Sequence, residues 1–368
     1  MTEKTLSAGT KQLQTKSGPA PSVQDERNAL DRLGQALGPF GLSPQQITNL
    51  WVALKSKPAL LLSGPRESMR DRLAMDLAKT IAGSQAERCL LLQGHPWWAA
   101  KARNQAQFIQ AQQRYTTLRL RSFLDFVADP ESDADLFFAI MLDVSRAELH
   151  EYFVDIPRQV RSIGGVELPF DFALLPTRYS DRLYWLATFD PHPSTWMEPR
   201  VLDTATVIEL GAVAPLEEAG SAPLLPGEPA FSETLVHSRR FDPRAARAAL
   251  PAHGHGHDDA LRPLRCVLAL LRKQRLEPPS GLISDGLLYL GNAWDVAGGG
   301  LFSVDPVANT IQAGEFWLKQ SALPRLSAML RQHRALQMDF ADWLDDEFPE
   351  LVPSHEGALS PREERLSI

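Results

Sequence analysis

The eight residues Gly64-Pro65-Arg66-Glu67-Ser68-Met69-Arg70-Asp71 are where the residue types of this chain come closest to doing chemistry. They follow three leucines and a serine, and a run of good helix formers begins where they end. That is the outline of a strand feeding a phosphate-binding loop, which reads G-x-x-x-x-G-K-[ST]. In such a loop curled backbone N–H groups hold the phosphates, a lysine reaches the β- and γ-phosphates, and a hydroxyl ligates Mg²⁺. Here the first glycine is present, while Met69, Arg70 and Asp71 stand at the last three positions. An ordinary strand-to-helix turn is the plainer reading of the same residues.

A phosphate loop needs an open parallel sheet behind it, with the loop at the carboxyl ends of the strands. Five short apolar runs could build that sheet: ALLLSG (59–64), RCLLLQG (88–94), LFFAIMLD (136–143), LYWLATFD (183–190) and TATVIELG (204–211). Helical stretches such as MRDRLAMDLAKTIAG lie between most of them, and this alternation predicts a parallel α/β sheet. Several runs end in a polar or acidic residue, where such sheets carry their sites. Upstream, Leu30, Leu33 and Leu37 mark one amphipathic helix. A second opens at Ser43, with Pro44 in first position and Gln46 completing a capping box.

The 368 residues allow one large domain or two ordinary ones, and 44% apolar with 23% charged residues is a globular composition. A net charge of −7 makes no composition-level case for a nucleic-acid surface, although it leaves room for a local basic face. Cys89 and Cys266 form neither a disulfide framework nor a thiolate metal site. The first residues contain no apolar stretch of signal-peptide type, and no apolar run reaches the ~20 residues of a membrane helix. These features predict a soluble cytoplasmic protein. Residues 1–22 read as a disordered tail, 23–57 as helices leading into the core, 58–211 as the α/β core and 212–260 as a linker. Residues 261–350 read as a mainly helical lid and 351–368 as a tail.

Several strings, in order, resemble the McrB-like branch of the AAA+ ATPases, the nucleotide-driven motors of modification-dependent restriction systems. LWVALKSKPALLLSGP is similar to that family's first helix and strand, and LLQGHPWW to its second strand. FFAIMLDVSRAELHEYF resembles the Walker B strand and the helix after it, LATFDPHPSTWMEPRVLDTATVIEL the sensor strand and its following segment, and WLKQSALPRL a lid helix. The resemblance covers residues 44–211 and, more weakly, 310–330. It implies an AAA+ P-loop NTPase-like five-stranded parallel sheet flanked by helices, followed by a helical lid.

Carried over residue by residue, the resemblance places Gly64, Pro65, Arg70, Asp71, Asp143 and Asp190 at a nucleotide site with altered chemistry. Met69 replaces the second loop glycine, Arg70 the lysine and Asp71 the hydroxyl. Val144 stands where the water-activating acid belongs and cannot accept a proton. Asp190 replaces a sensor asparagine and Thr204 a candidate arginine finger, for which Arg200 is a candidate substitute. Glu67 adds another carboxylate; one like-charge pair near 4 Å costs about 4 kcal/mol at an effective dielectric of 20, roughly a thousandfold in binding. The resemblance therefore implies a pseudo-ATPase, leaning away from an enzyme. Such a subunit would be a scaffold or regulator in a McrBC-like restriction or anti-phage assembly, beside an active AAA+ motor or an effector nuclease, or self-assembled. DNA would be reached only indirectly, and no membrane is involved. The alternative is a divergent ATP- or GTP-binding protein that uses Mg²⁺ and turns over slowly.

Three further features have bland readings that come first. His253, His255 and His257, followed by two acids, have metal-ligand spacing but sit in a glycine-spaced loop that would first have to be ordered. Trp97 and Trp98 read as packing under the second strand. Leu336, Phe340, Trp343, Leu344 and Phe348 line one helical face that the chain's own helical region should cover.

Overall fold

The computed structural model describes residues 23–83, 86–93, parts of 119–127, 136–144, 149, 182–190, 199–211, 231–250 and 259–348. Helix α1 (Val23–Leu37) and helix α2 (Pro44–Ser56) lead into strand β1 (Ala59–Ser63), and helix α3 (Arg70–Ala82) follows the loop. Strands β2 (Cys89–Gln93), β3 (Phe137–Leu142), β4 (Leu183–Phe189) and β5 (Thr206–Glu209) complete a sheet, with the short helix α4 (Pro199–Thr204) before the last. The five strands pair in the order β2-β3-β4-β1-β5, and every pairing is parallel.

The apolar runs are continuous because both faces of the sheet are covered. Leu60 and Leu62 of β1 point into one core, with Phe138, Ile140, Tyr184, Leu186 and residues of α1, α2 and α3. Leu61, one residue out of phase, joins Phe137, Ala139, Met141, Trp185 and Phe189 on the other side. Helix α2 starts as its residues dictate. The Gln46 N–H donates to Ser43 Oγ at 3.2 Å, and the Ser43 N–H donates back to Gln46 Oε1 at 2.8 Å. Ser43→Ala should therefore cost about 1 kcal/mol in chemical denaturation, and a change below a few tenths would show that packing alone holds this helix.

The second half is helical: α5 (Ser232–Ser238), α6 (Pro243–Ala248), α7 (Arg262–Lys273), α8 (Leu282–Asn292), α9 (Pro306–Trp317), α10 (Leu323–Gln332) and α11 (Arg334–Glu347). A π-helical segment, Leu318–Ala322, joins α9 to α10. Pro324, just beyond it, has no N–H to continue the regular ladder. Part of the stretch read as linker is helical. Residues 231–250 carry α5, which packs because Leu235 is fully buried in the α1–α3 core and Ser232 Oγ donates to the Ile81 carbonyl at 3.0 Å, and α6, whose buried Ala246 lies against Gly291 of α8. The Pro- and Ala-rich composition there reflects helix starts (Pro243 follows the capping Asp242) and close packing, not only loop. The C-terminal apolar face is covered as expected: Leu336, Phe340, Leu344 and Phe348 are buried in the helical core, with Trp343 packed against them.

The helical half docks on the end of the sheet opposite the loop. Lys57 and Asp203 directly precede the edges from which β1 and β5 start, and both are tied to it: Lys57 Nζ lies 2.9 Å from Asp285 of α8, and Asp203 Oδ1 2.8 Å from Arg325 of α10. Ser56 Oγ donates to the Leu288 carbonyl at 3.4 Å as well as to Val52, and Lys55 Nζ reaches the Trp294 carbonyl at 3.2 Å. Among the described residues no helix is long and apolar enough to cross a membrane.

Candidate functional site

The loop begins with a tight approach. A Cβ on Gly64 would lie 2.7 Å from Ser68 Oγ and 2.8 Å from the Leu210 carbonyl oxygen, so any other residue would push the chain off the sheet. Pro65 brings no N–H. A single 3₁₀ turn, Arg66–Ser68, follows, and the Ser68 N–H and Oγ both donate to the Pro65 carbonyl, at 3.0 and 2.6 Å. Two backbone donors that a phosphate cradle would use are thus missing or already satisfied inside the loop. Met69 then takes φ 55° and ψ 23°. This is left-handed backbone, which glycine adopts freely, and holding it in a residue with a side chain is a strain of about 1–2 kcal/mol.

Arg70 opens α3 and turns inward. Its side chain is only 1% exposed, and its guanidinium fills the space between the loop and the strand ends. Nη1 donates to the Gly64 carbonyl, and Nη2 donates to Asp143 Oδ1 at 2.8 Å. Asp190 Oδ1 lies 3.9 Å from Nη1, and Asp71 Oδ1 lies 3.6 Å from Nε, which makes no hydrogen bond. The three carboxylates come from three elements: the first turn of α3 and the residues just past β3 and β4. They meet because β3, β4 and β1 are consecutive in the sheet.

Thr188 ties two of these acids together. Its Oγ1 accepts the Asp143 N–H at 2.9 Å and donates to Asp71 Oδ1. Asp143 itself has φ 55°, a conformation Asp adopts more readily than most residues. Its bond to Arg70 carries most of the attraction, since Asp143 is one-third exposed while Asp71 and Asp190 are 42% and 66% exposed and their contacts are long. Such screened pairs contribute under about 1 kcal/mol each. With one guanidinium against three carboxylates, the cluster is net negative.

No family model and no curated protein matches the chain.

The sequence-derived set Gly64, Pro65, Arg70, Asp71, Asp143 and Asp190 is therefore one site in space, but its chemistry is turned inward. The cation that would face a phosphate is engaged by the protein's own oxygens. Val144 is buried, and its N–H donates to the Thr188 carbonyl at 2.8 Å, which fixes an aliphatic side chain directly after Asp143. Glu67 is exposed, away from this bonding. Arg200 is exposed on α4, and among the described residues the partners of Arg70 do not include it. Thr204 Oγ1 donates to the Val201 carbonyl at 3.1 Å, a local helix-end bond. The His253–His257 stretch and Trp97 and Trp98 lie outside the described residues. Within the described residues, no group of three His, Cys, Asp or Glu is placed to hold a metal ion.

Sequence reasoning missed Thr188 and Ser68. Both sit at predicted positions, one two residues before Asp190 and one inside the loop, yet nothing local marks either hydroxyl as a bridge. It also missed the buried network of Lys57, Asp285, Ser321 and Arg325, which the exposed Asp203 joins through Arg325. Asp285 Oδ2 is 2.9 Å from Lys57 Nζ, 2.7 Å from Arg325 Nη2 and 2.8 Å from Ser321 Oγ. Lys57 also donates to the carbonyls of Leu202 and Ala205. Burial pushes the Lys57 ammonium below the usual lysine range, and Asp285 opposes that shift.

Proposed function

We propose that this chain is a catalytically silent, AAA+-like protein that works through contacts with other proteins rather than by nucleotide turnover. The observation that carries the reading is the engagement of Arg70. A phosphate can be held at such a loop only by a cation and N–H groups that are available to it. Here an incoming phosphate would have to displace Asp143 from Arg70 and then lie beside a net-negative cluster. The loss of a general base at Val144 supports the same reading from the side of the reaction. Comparison with AAA+ proteins rests on the ordered strings from residue 44 to 211 and on the convergence of the loop, Asp143 and Asp190 at the carboxyl ends of neighbouring parallel strands. Placement in a McrBC-like restriction or anti-phage assembly, as scaffold or regulator, rests on the resemblance of those strings. An intact McrB-like ATPase or nuclease encoded beside this chain would extend the reading to such an assembly.

The test is calorimetric titration of the purified chain with ATP and GTP, with and without Mg²⁺, beside a thermal-shift assay. No heat and no stabilisation at millimolar nucleotide is the expected result. Micromolar binding, with product formation abolished by Asp143→Ala, would replace this reading with that of a divergent NTPase that has rebuilt its site.

A further inference from the structure

The chain carries a net negative charge, yet one corner of the helical half concentrates cations. Helices α7 and α11 lie antiparallel. Arg262 at the start of α7 pairs with Glu347 at the end of α11, while Lys273 and Gln274 at the other end of α7 hold Asp339 at 2.7 and 2.8 Å. Asp339 is five residues into α11, about 7.5 Å along the axis from Arg334 at 1.5 Å per residue. The carboxyl end of α7 is therefore brought alongside the first turn of α11 and the α10–α11 junction. Arg272, Lys273, Arg275, Arg331, His333 and Arg334 belong to these helix ends and the junction, and all six are exposed. Asp339, held by Lys273 and Gln274, and Glu277 are the acids nearest in sequence.

We infer that this corner is a docking surface for the phosphate backbone of a nucleic-acid duplex. Three features select that partner. Arginine dominates, and its planar fork matches phosphate oxygens in pairs. The cations stand on two helix ends and a junction, spread over separate elements and not around one compact anion. The charge is also local in a protein of net −7, so it is not a by-product of a basic composition. Contact through phosphates alone is sequence-independent and depends steeply on salt. The surface lies on the helical half, remote in chain and in bonding from the Arg70 cluster, so it stands or falls independently of the silent-site reading.

The experiment is fluorescence anisotropy of the full chain with short mixed-sequence DNA and RNA duplexes, against Arg272→Glu with Arg334→Glu, with poly-glutamate as competitor. Binding in the micromolar range at low salt is expected, with a log–log salt slope of about −3 to −4, since each phosphate contact contributes about −0.9. The double reversal should weaken it at least about tenfold, each lost contact on DNA lowering the slope by nearly one. Circular dichroism should show both proteins equally folded; if the reversal perturbs the fold, Arg272→Gln with Arg334→Gln replaces it. DNA and RNA arms of similar strength would mark plain backbone recognition, and a preference for one would narrow the partner. Absence of duplex binding at low salt, binding unchanged by the charge reversal, or tighter capture of poly-glutamate than of either duplex would overturn the inference.

Discussion

Asp285→Ala is expected to lower stability by about 3–5 kcal/mol, the range for removing one partner from a buried ion pair. Asp285 lies between the two halves of the molecule, with Lys57 on one side and Arg325 and Ser321 on the other, and all of these side chains are buried. Its loss leaves two buried cations facing each other without a carboxylate between them. Arg325 keeps Asp203 at 2.8 Å and the Ser280 carbonyl at 2.7 Å, but Lys57 keeps only backbone carbonyls. Lys57→Met is the control. Asp285 then still has Arg325 and Ser321, and the carbonyls of Leu202 and Ala205 lose a donor, so the cost should be only about 1–2 kcal/mol. The deficit of Asp285→Ala should also shrink as pH rises. Burial already holds Lys57 below its ordinary value, and Asp285 is what holds it up. Without Asp285 the folded state binds that proton still less well than the unfolded chain. Stability therefore gains more with each pH step, up to the unfolded lysine value of about 10.4. Urea denaturation from neutral pH to about 9.5 measures both effects. A variant within about 1 kcal/mol of wild type, or a deficit that widens with pH, would remove this network from the forces that join the halves.

The frame of the molecule was legible because its signals are local and periodic. Five apolar runs became five parallel strands, and the Ser43 cap and the amphipathic C-terminal helix follow from residue spacing alone. The members of the candidate site were legible too, since a strand end is a place that sequence can mark: Ser63 leads into Gly64, Leu142 into Asp143 and Phe189 into Asp190. What the acids do there was not legible. Reading Asp143 and Asp190 as charges facing a missing phosphate presumes an open loop; that they face Arg70 depends on the inward turn of one side chain. The docking of the helical half was hidden for a related reason. Lys57 and Asp203 look like surface charges in KSKP and VLDT, and only the packing of α8 and α10, more than 70 residues away in sequence, buries Lys57 and makes Asp203 a tether.

Arg70→Ala is the second large effect, and it separates a structural cation from a catalytic one. In a working loop the motif's cation waits for phosphate, so its removal abolishes ligand binding and leaves the empty fold nearly as stable. Here Arg70 is already held by Asp143 and the Gly64 carbonyl, with Asp71 and Asp190 near. Truncation leaves three carboxylates at one end of the sheet with no cation among them, and a carbonyl without its donor. A loss of about 2–3 kcal/mol is expected, below the Asp285 value because the carboxylates are partly exposed and can turn to solvent. Their repulsion acts through water, so raising salt from low ionic strength to about 1 M should recover part of that loss. Arg70→Lys, which supplies the residue type of a phosphate-binding loop, should recover part of the stability through Asp143. It should bind no ATP, because the three carboxylates, the missing donor at Pro65 and the satisfied Ser68 N–H all remain. Denaturation midpoints for the wild type and both variants, paired with nucleotide calorimetry, make the distinction. An Arg70→Ala protein as stable as wild type would mean that Arg70 is not a structural cation, and ATP binding restored by Arg70→Lys alone would mean that one residue, not the whole cluster, silences the loop.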